Sequence, residues 1–259
     1  MDLNRKTALI TGASSGLGLE FSRIYSREGY DLVIVARSGD KLNELKAELE
    51  NACHNTVHVC AQDLSEQNAS EKIYDFTVKN DLTIHTLVNN AGFGDFGRFW
   101  EIDPKRQRDL MQVNIVALVE LTRFFLPGMV ERREGRVLNV SSVAAFMGGP
   151  GMPLYYASKG FILQFSEALS EETRGTGVSV TALLPGPTAT GFEQAAQMKN
   201  SKMFTMLKPA DAKAVAEAGY RASVKGKPLA YHRLTKILNP ASRIFPRSLM
   251  RKSAKRING

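Results

Sequence analysis

Thr7-Ala8-Leu9-Ile10-Thr11-Gly12-Ala13-Ser14-Ser15-Gly16-Leu17-Gly18 is the stretch on which the fold turns. Its first five residues predict a buried strand, and residues 16–28 place apolar side chains at helical spacing. Glycine recurs between them, where a chain turning sharply from strand to helix has no room for a Cβ. A helix entered in this way offers free N–H groups and the positive end of its dipole to phosphates. The segment is therefore a candidate pyrophosphate cradle, built from Gly12, Ser14, Ser15, Gly16, Leu17 and Gly18. Taken alone, a plain glycine-rich turn is the competing reading.

Outward from that segment the same alternation continues. Strands are expected at 31–36, 56–61, 86–89, 136–140 and 178–183, with a last one near 229–232. Helices are expected at 41–51, 66–78, 104–131, 154–174 and 210–224. The strands are dense in Val, Leu and Ile rather than strictly alternating, as when helices cover both faces of a sheet. Strand–helix alternation of this kind implies right-handed crossovers and an α/β, doubly wound parallel sheet, the Rossmann fold. With no linker, repeat or low-complexity tract, residues 1–259 read as a single domain. Residues 187–208 are expected to form a substrate lid and 228–259 a basic tail.

At 259 residues, 43% hydrophobic and 23% charged, the chain can bury a sizeable core. No apolar run is expected to reach the roughly 20 residues needed to span a bilayer. Met1 to Lys6 is short and polar, without a signal-peptide pattern. Cys53 and Cys60 are too few for a disulfide framework and lack metal-ligand spacing, so reduced thiols and a cytoplasmic location are expected. The net charge of +8 is uneven, because the stretch 218–259 holds eleven of the 34 Lys and Arg and none of the 26 Asp and Glu. The body therefore carries 23 basic and 26 acidic residues, which argues against nucleic acid binding across a whole face.

The other strand ends carry further signals. An acidic residue ending the second strand would bond both ribose hydroxyls and repel a 2′-phosphate. Here the end is Ala36, followed by Arg37, whose guanidinium suits a phosphate. That favours NADP(H) over NAD(H), with Ser38 and Lys41 as assistants; a solvated surface arginine is the alternative. The third strand ends in Asp63-Leu64, whose carboxylate could meet an adenine amino group. The fourth ends in Asn89-Asn90-Ala91-Gly92, residue types that suit a tight turn.

Ser142 followed by Tyr155-x-x-x-Lys159 is the most specific pattern. Residues four apart share a helix face, so Tyr155 and Lys159 are neighbours. A phenol with a pKa of about 10 is a poor base near neutrality. An adjacent ammonium and a cationic nicotinamide ring would favour its ionised form. Tyr156 competes, but four residues beyond it lies Gly160, which supplies no charge.

Together, TGASSGLG, NNAG, a serine thirteen residues before YxxxK, and Pro185-Gly186 resemble the short-chain dehydrogenase/reductase family, over about residues 6–190. The LVNNAGFG loop at 87–94 is similar to that of a branch of small bacterial reductases. The resemblance implies Tyr155 as general acid/base and Lys159 as the residue that binds the nicotinamide ribose and lowers the Tyr155 pKa. It implies that Ser142 holds the substrate oxygen, with Ser141 the less favoured alternative by spacing. It further implies that Asn114 distorts the long helix and holds a water in a proton relay. By the same resemblance Gly12, Gly16 and Gly18 line the pyrophosphate, Asp63 the adenine and Asn90 the adenosine ribose, with Leu64, Ala91 and Gly92 as further cofactor contacts. Thr188, following the cofactor contacts Pro185 and Gly186, then orients the carboxamide, and the protein is expected to be a homodimer or homotetramer.

The segments expected to border the substrate are apolar. Phe146, Met147, Met152, Pro153 and Leu154 follow Ser142, and Phe192, Met198, Met203, Phe204, Met206 and Leu207 fall in the lid. Flexible thioethers adapt to irregular ligands, so a lipophilic ketone or its alcohol is expected, unless these residues only pack the lid. The tail interleaves Ile237, Leu238, Ile244, Phe245, Leu249 and Met250 with Lys236, Arg243, Arg247, Arg251 and Lys252. Such a segment can lie on an anionic membrane, but Pro240 and Pro246 interrupt a long helix and favour one packed against the pocket. A dinucleotide-sensing binding protein or a membrane-surface adaptor are the rival functions. The first needs only the cofactor site, the second only the tail.

Overall fold

In the computed structural model, which describes residues 5–192, 209–231, 236 and 244–258, the strands β1 (Thr7–Thr11), β2 (Asp31–Ala36), β3 (Val57–Ala61), β4 (Ile84–Asn89), β5 (Gly135–Val140), β6 (Val178–Leu184) and β7 (Leu229–Tyr231) form one sheet. Every pairing is parallel, and the order is β3-β2-β1-β4-β5-β6-β7. The order reverses between β1 and β4. In such sheets that reversal opens a crevice at the carboxyl ends of the strands.

The helices are α1 (Gly16–Arg27), α2 (Gly39–Cys53), α3 (Ala69–Lys79), α4 (Pro104–Met111), α5 (Ala117–Glu131), α6 (Pro153–Glu172), α7 (Ala212–Val224) and α8 (Arg247–Asn258). Alternate strand residues face opposite layers. Ala8, Ile10, Leu32, Ile34 and Val88 pack with Phe21 and Ile24 of α1 and Val215 of α7. Leu9, Val33, Val35 and Leu87 pack with Ile73 of α3 and Leu121 and Phe125 of α5.

Local chemistry moves several boundaries. Helix α2 starts two residues before the expected position because Ser38 caps it, accepting from the Lys41 N–H. Helix α3 starts three residues later than expected, since Asn68 is left-handed at φ 61° and the Glu66 N–H is spent on the Asp63 carbonyl. Strand β4 starts two residues early. Its register with β1 shifts between Thr7 and Ala8, and the Thr7 N–H donates to His85 Nδ1 at 3.1 Å.

The expected long helix is interrupted by a π turn, Gln112–Val116, between α4 and α5. Taken together, Pro104–Glu131 is long and apolar enough to cross a bilayer, which corrects the expectation that no segment reaches that length. Its apolar side chains Val113, Ala117, Leu121, Phe125 and Met129 are instead buried against the sheet. The expected lid residues Met198, Met203, Phe204, Met206 and Leu207 lie outside the described residues. So do His232, Ile237, Leu238, Pro240 and Arg243 of the tail.

Candidate active site

The crevice at the carboxyl ends of the strands holds a cavity of about 640 Å³. Gly12 follows β1 at φ +67°, a conformation that favours glycine, and a Cβ there would stand 2.8 Å from Asn90 Nδ2. Asn90 braces this turn, donating through Nδ2 to the Thr11 carbonyl at 2.8 Å. Thr11 Oγ1 in turn accepts the N–H groups of Asn90 and Ala91, each at 3.0 Å. The two loops that meet at the sheet reversal are thus locked to each other.

Ser14, Ser15, Gly16 and Leu17 line the cavity beyond Gly12. Gly18 does not. A Cβ on it would sit 2.1 Å from the Gly12 carbonyl oxygen, so its lack of a side chain serves helix–strand packing rather than the cavity wall. Arg37, Ser38 and Lys41 line the cavity past β2, and Asp63 and Leu64 line it past β3. Asp63 Oδ1 accepts from the N–H and hydroxyl of Ser65, at 2.9 and 2.8 Å.

At the other end, Ser142, Tyr155 and Lys159 converge on the same cavity with Asn90, Ala91, Gly92, Pro185, Gly186 and Thr188. Ser142 caps a short 3-10 turn, Val143–Phe146, its hydroxyl accepting from the Ala144 N–H at 3.1 Å. Ser141 is tied away, donating to the Lys159 carbonyl at 2.8 Å. Tyr156 packs with Ala144, Met152 and Ala254, while Tyr155 hydrogen-bonds Ser142. Lys159 Nζ donates to the Val140 carbonyl at 2.8 Å and lies 5.7 Å from the centre of the Tyr155 ring.

Burial dominates the ionisation of this pair. It pushes the Tyr155 phenol up to about 12, against a lowering by the Ser142 hydrogen bond and a further rise from Tyr156. It pushes the Lys159 ammonium down to about 8. Lys159 is not among the groups that set the Tyr155 ionisation here, and its ammonium donates to the Val140 carbonyl.

Asn114 is fully buried in the π turn and does not reach the cavity wall. Its Oδ1 accepts the Phe93 N–H at 3.1 Å, and its Nδ2 donates to the Phe93 carbonyl at 3.0 Å and to Ser158 Oγ at 3.1 Å. Ser158 then donates to the Tyr155 carbonyl at 2.7 Å. A Cβ at Gly92 would stand 3.1 Å from Asn114 Oδ1 and 3.4 Å from Lys159 Nζ, so both polar ends surround one glycine.

Sequence reasoning missed Thr11, Ser158 and Arg106. Arg106 pairs with the buried Asp95 at 2.9 Å, sits over the Phe93 ring and lines the cavity. A β-branched strand end and a lone helical serine carry no distinguishing pattern. Asp95 and Arg106 are eleven residues apart, beyond the reach of helix spacing.

The model of the short chain dehydrogenase family matches residues 6–201. The chain belongs to the short-chain dehydrogenase/reductase family. Members are oxidoreductases that bind nicotinamide dinucleotides and interconvert carbonyls and alcohols. A relative, the very-long-chain 3-oxoacyl-CoA reductase of Mycosarcoma maydis, is 35% identical over 188 residues. That match covers 70% of this chain and 53% of the relative, so the chain spans about half the relative's length. A short-chain dehydrogenase from Sphingobium yanoikuyae, solved with NADPH, is 28% identical with a TM-score of 0.82 over 95% of each chain. A short-chain dehydrogenase/reductase from Burkholderia phymatum, solved with NAD, is 24% identical with a TM-score of 0.82 over 97% of each chain, a likeness that shows the fold alone.

Proposed function

We propose that this short-chain dehydrogenase/reductase uses NADP(H) to interconvert a lipophilic ketone and its alcohol. The observation that carries the proposal is one cavity with a glycine cradle and Arg37 at one end and Ser142, Tyr155 and Lys159 at the other. The residues fit such a cofactor. Gly12 and Gly16 leave room where a Cβ would clash with Asn90 and Thr190, and no carboxylate ends β2. Since solved neighbours carry NADPH in one case and NAD in another, the preference rests on Ala36-Arg37.

In this reading Arg37, Ser38 and Lys41 hold the 2′-phosphate, and Gly12 and residues 14–17 hold the pyrophosphate. Asp63 and Leu64 take the adenine, Asn90 to Gly92 the adenosine side, and Pro185, Gly186 and Thr188 the carboxamide. The dinucleotide, when bound, supplies or accepts the hydride. Ser142 holds the substrate oxygen, Tyr155 gives its phenolic proton to that oxygen during reduction, and Lys159 binds the ribose and replenishes the proton. Asn114 acts from behind, fixing the Phe93 backbone and Ser158.

The substrate end is lined by Ala144, Met152, Tyr156 and Phe192, with Phe96, Met147 and Ala254 packed behind them. Phe192 lies 5.1 Å from Tyr155, ring centre to ring centre. Apolar walls around a few polar groups select an apolar ligand oriented at one point. The name of the very-long-chain reductase, a carbonyl reducer of long acyl chains, supports the same class. NADPH oxidation across a carbonyl panel tests the reading. Hydrophobic ketones should exceed small polar ones in kcat/KM by at least ~10-fold for each one or two buried methylenes, and the reverse ranking would refute it.

A further inference from the structure

The basic tail is not used by the chemistry above, yet it packs behind residues that line the cavity. Helix α8 buries Ala254 to 2% exposure among Ala144, Met152 and Tyr156. One turn earlier, the aliphatic stem of Arg251 lies 3.6 Å from where a Cβ of Gly148 would be. The inner face of α8 therefore backs Ala144, Met152 and Tyr156, which line the substrate end. The packing reading of the tail holds for that face, and it leaves the outer face to be explained.

Leu249, Lys252 and Arg256 are spaced i, i+3, i+7 and share one side of the helix, turned away from Ala254. All three are exposed, Leu249 at 50%, and just before the helix Ile244 and Phe245 are exposed at 78% and 50%. Solvated helix faces carry mixed charge. This one carries Leu249 among cations, with Ile244 and Phe245 just ahead of it, in a stretch of 42 residues with eleven Lys and Arg and no acid. Arg247 and Lys255 are also exposed, and among the described residues no ion pair engages any cation of α8. Uncompensated positive charge around protruding apolar groups complements a surface of anionic headgroups over hydrocarbon.

We propose that the outer face of α8 docks on an anionic membrane surface, setting the helix that backs Met152 and Tyr156 against the bilayer. Ile244, Phe245 and Leu249 enter the headgroup boundary, while Lys252 and Arg256 meet the headgroups. A lipophilic substrate dissolved in the bilayer is then concentrated beside the enzyme. That last step rests on the lipophilic-ketone reading of the cavity; the docking does not.

Flotation of the full chain with vesicles, in the absence of cofactor and substrate, tests the docking independently of any activity. The probes are vesicles of phosphatidylglycerol with phosphatidylcholine, and of phosphatidylcholine alone. The parent should float with the anionic vesicles only and be released by about 0.5 M salt, where screening falls to a few ångström. Each cation at such a surface is worth about five-fold in partitioning, so Leu249→Gln/Lys252→Gln/Arg256→Gln should lose about 25-fold or more. The charge-conserving Lys252→Arg/Arg256→Lys should keep parental binding. An unchanged melting temperature and unchanged turnover of a small water-soluble ketone would show that the triple variant is folded. Three results overturn the proposal: no flotation of the parent, equal flotation with neutral vesicles, or binding unaffected in the triple variant. A smaller oligomer for the triple variant in size-exclusion chromatography also overturns it, since the face would then be covered by a second copy.

Discussion

Burial moves the two ionisable groups at the centre of the cavity in opposite directions, Tyr155 up to about 12 and Lys159 down to about 8. A phenol with so high a pKa stays protonated through the neutral range and is poised as an acid, the role that carbonyl reduction needs. The ammonium of Lys159 is present below pH 8 and is lost as the pH rises through it. Reductive kcat/KM should therefore fall above pH 8 with a single ionisation, and Lys159→Arg should push that limb beyond the measurable range. A profile flat from pH 7 to about 9.5 would show that the ammonium is not required. Arg37 is tested apart from the chemistry. Removal of a hydrogen-bonded charge costs about 1.5–3 kcal/mol, so Arg37→Ala should raise the NADPH Kd by about 10- to 100-fold and leave that of NADH nearly unchanged. Parallel losses for both dinucleotides in fluorescence titration would remove the 2′-phosphate assignment.

At the scale of elements, the glycine turn does two jobs, and only one was legible in the sequence. The spacing of Gly12, Gly16 and Gly18 marks a strand-to-helix turn, but not that Gly18 faces the Gly12 carbonyl instead of the cavity. Gly18→Ala forces that contact apart. At about 1–3 kcal/mol for overpacking, and about 2–4 °C per kcal/mol for a chain of this size, melting should drop by several degrees and both dinucleotides should bind less well. A parental melting curve would mean that α1 shifts freely against β1. Strands β1 and β2 were read to the residue because their apolar runs begin and end abruptly. The start of β4 was not, because the bulged His85 breaks the apolar run there while its ring takes the Thr7 N–H. The π turn was implied by the family resemblance through Asn114, but periodicity did not show it. Helical periodicity persists through Val113 and Ala117, and the only sign of the turn is Asn114, a polar residue without a visible partner in sequence. Its partners, the Phe93 backbone and Ser158, come from a loop and another helix. The Ser142, Tyr155 and Lys159 set was legible as a motif. The direction in which Lys159 points was not, since burial and the Val140 carbonyl fix it.

For the molecule as a whole, the family resemblance leads us to propose a homodimer or homotetramer built on α4, α5 and α6. Met111 of α4, Val116 of the π turn and Phe161 of α6 are exposed at 37–40%, and Phe161 stacks on Phe165. Val116→Glu/Phe161→Glu should convert the assembly to monomers in sedimentation velocity, because charges at the core of an apolar contact go unpaired. An unchanged sedimentation coefficient would place the contact elsewhere. The cationic tail packs onto the body where Ala254 of α8 meets Tyr156, behind the substrate end of the cavity. Everything assigned to that cavity depends on Tyr155 as the group that moves the proton. The direct measurement is NADPH-dependent reduction of a hydrophobic ketone by the parent and by Tyr155→Phe, with NADPH affinity determined for both. Loss of the general acid should lower kcat/KM by about 10²- to 10⁴-fold at unchanged NADPH affinity; parental turnover by Tyr155→Phe would contradict it.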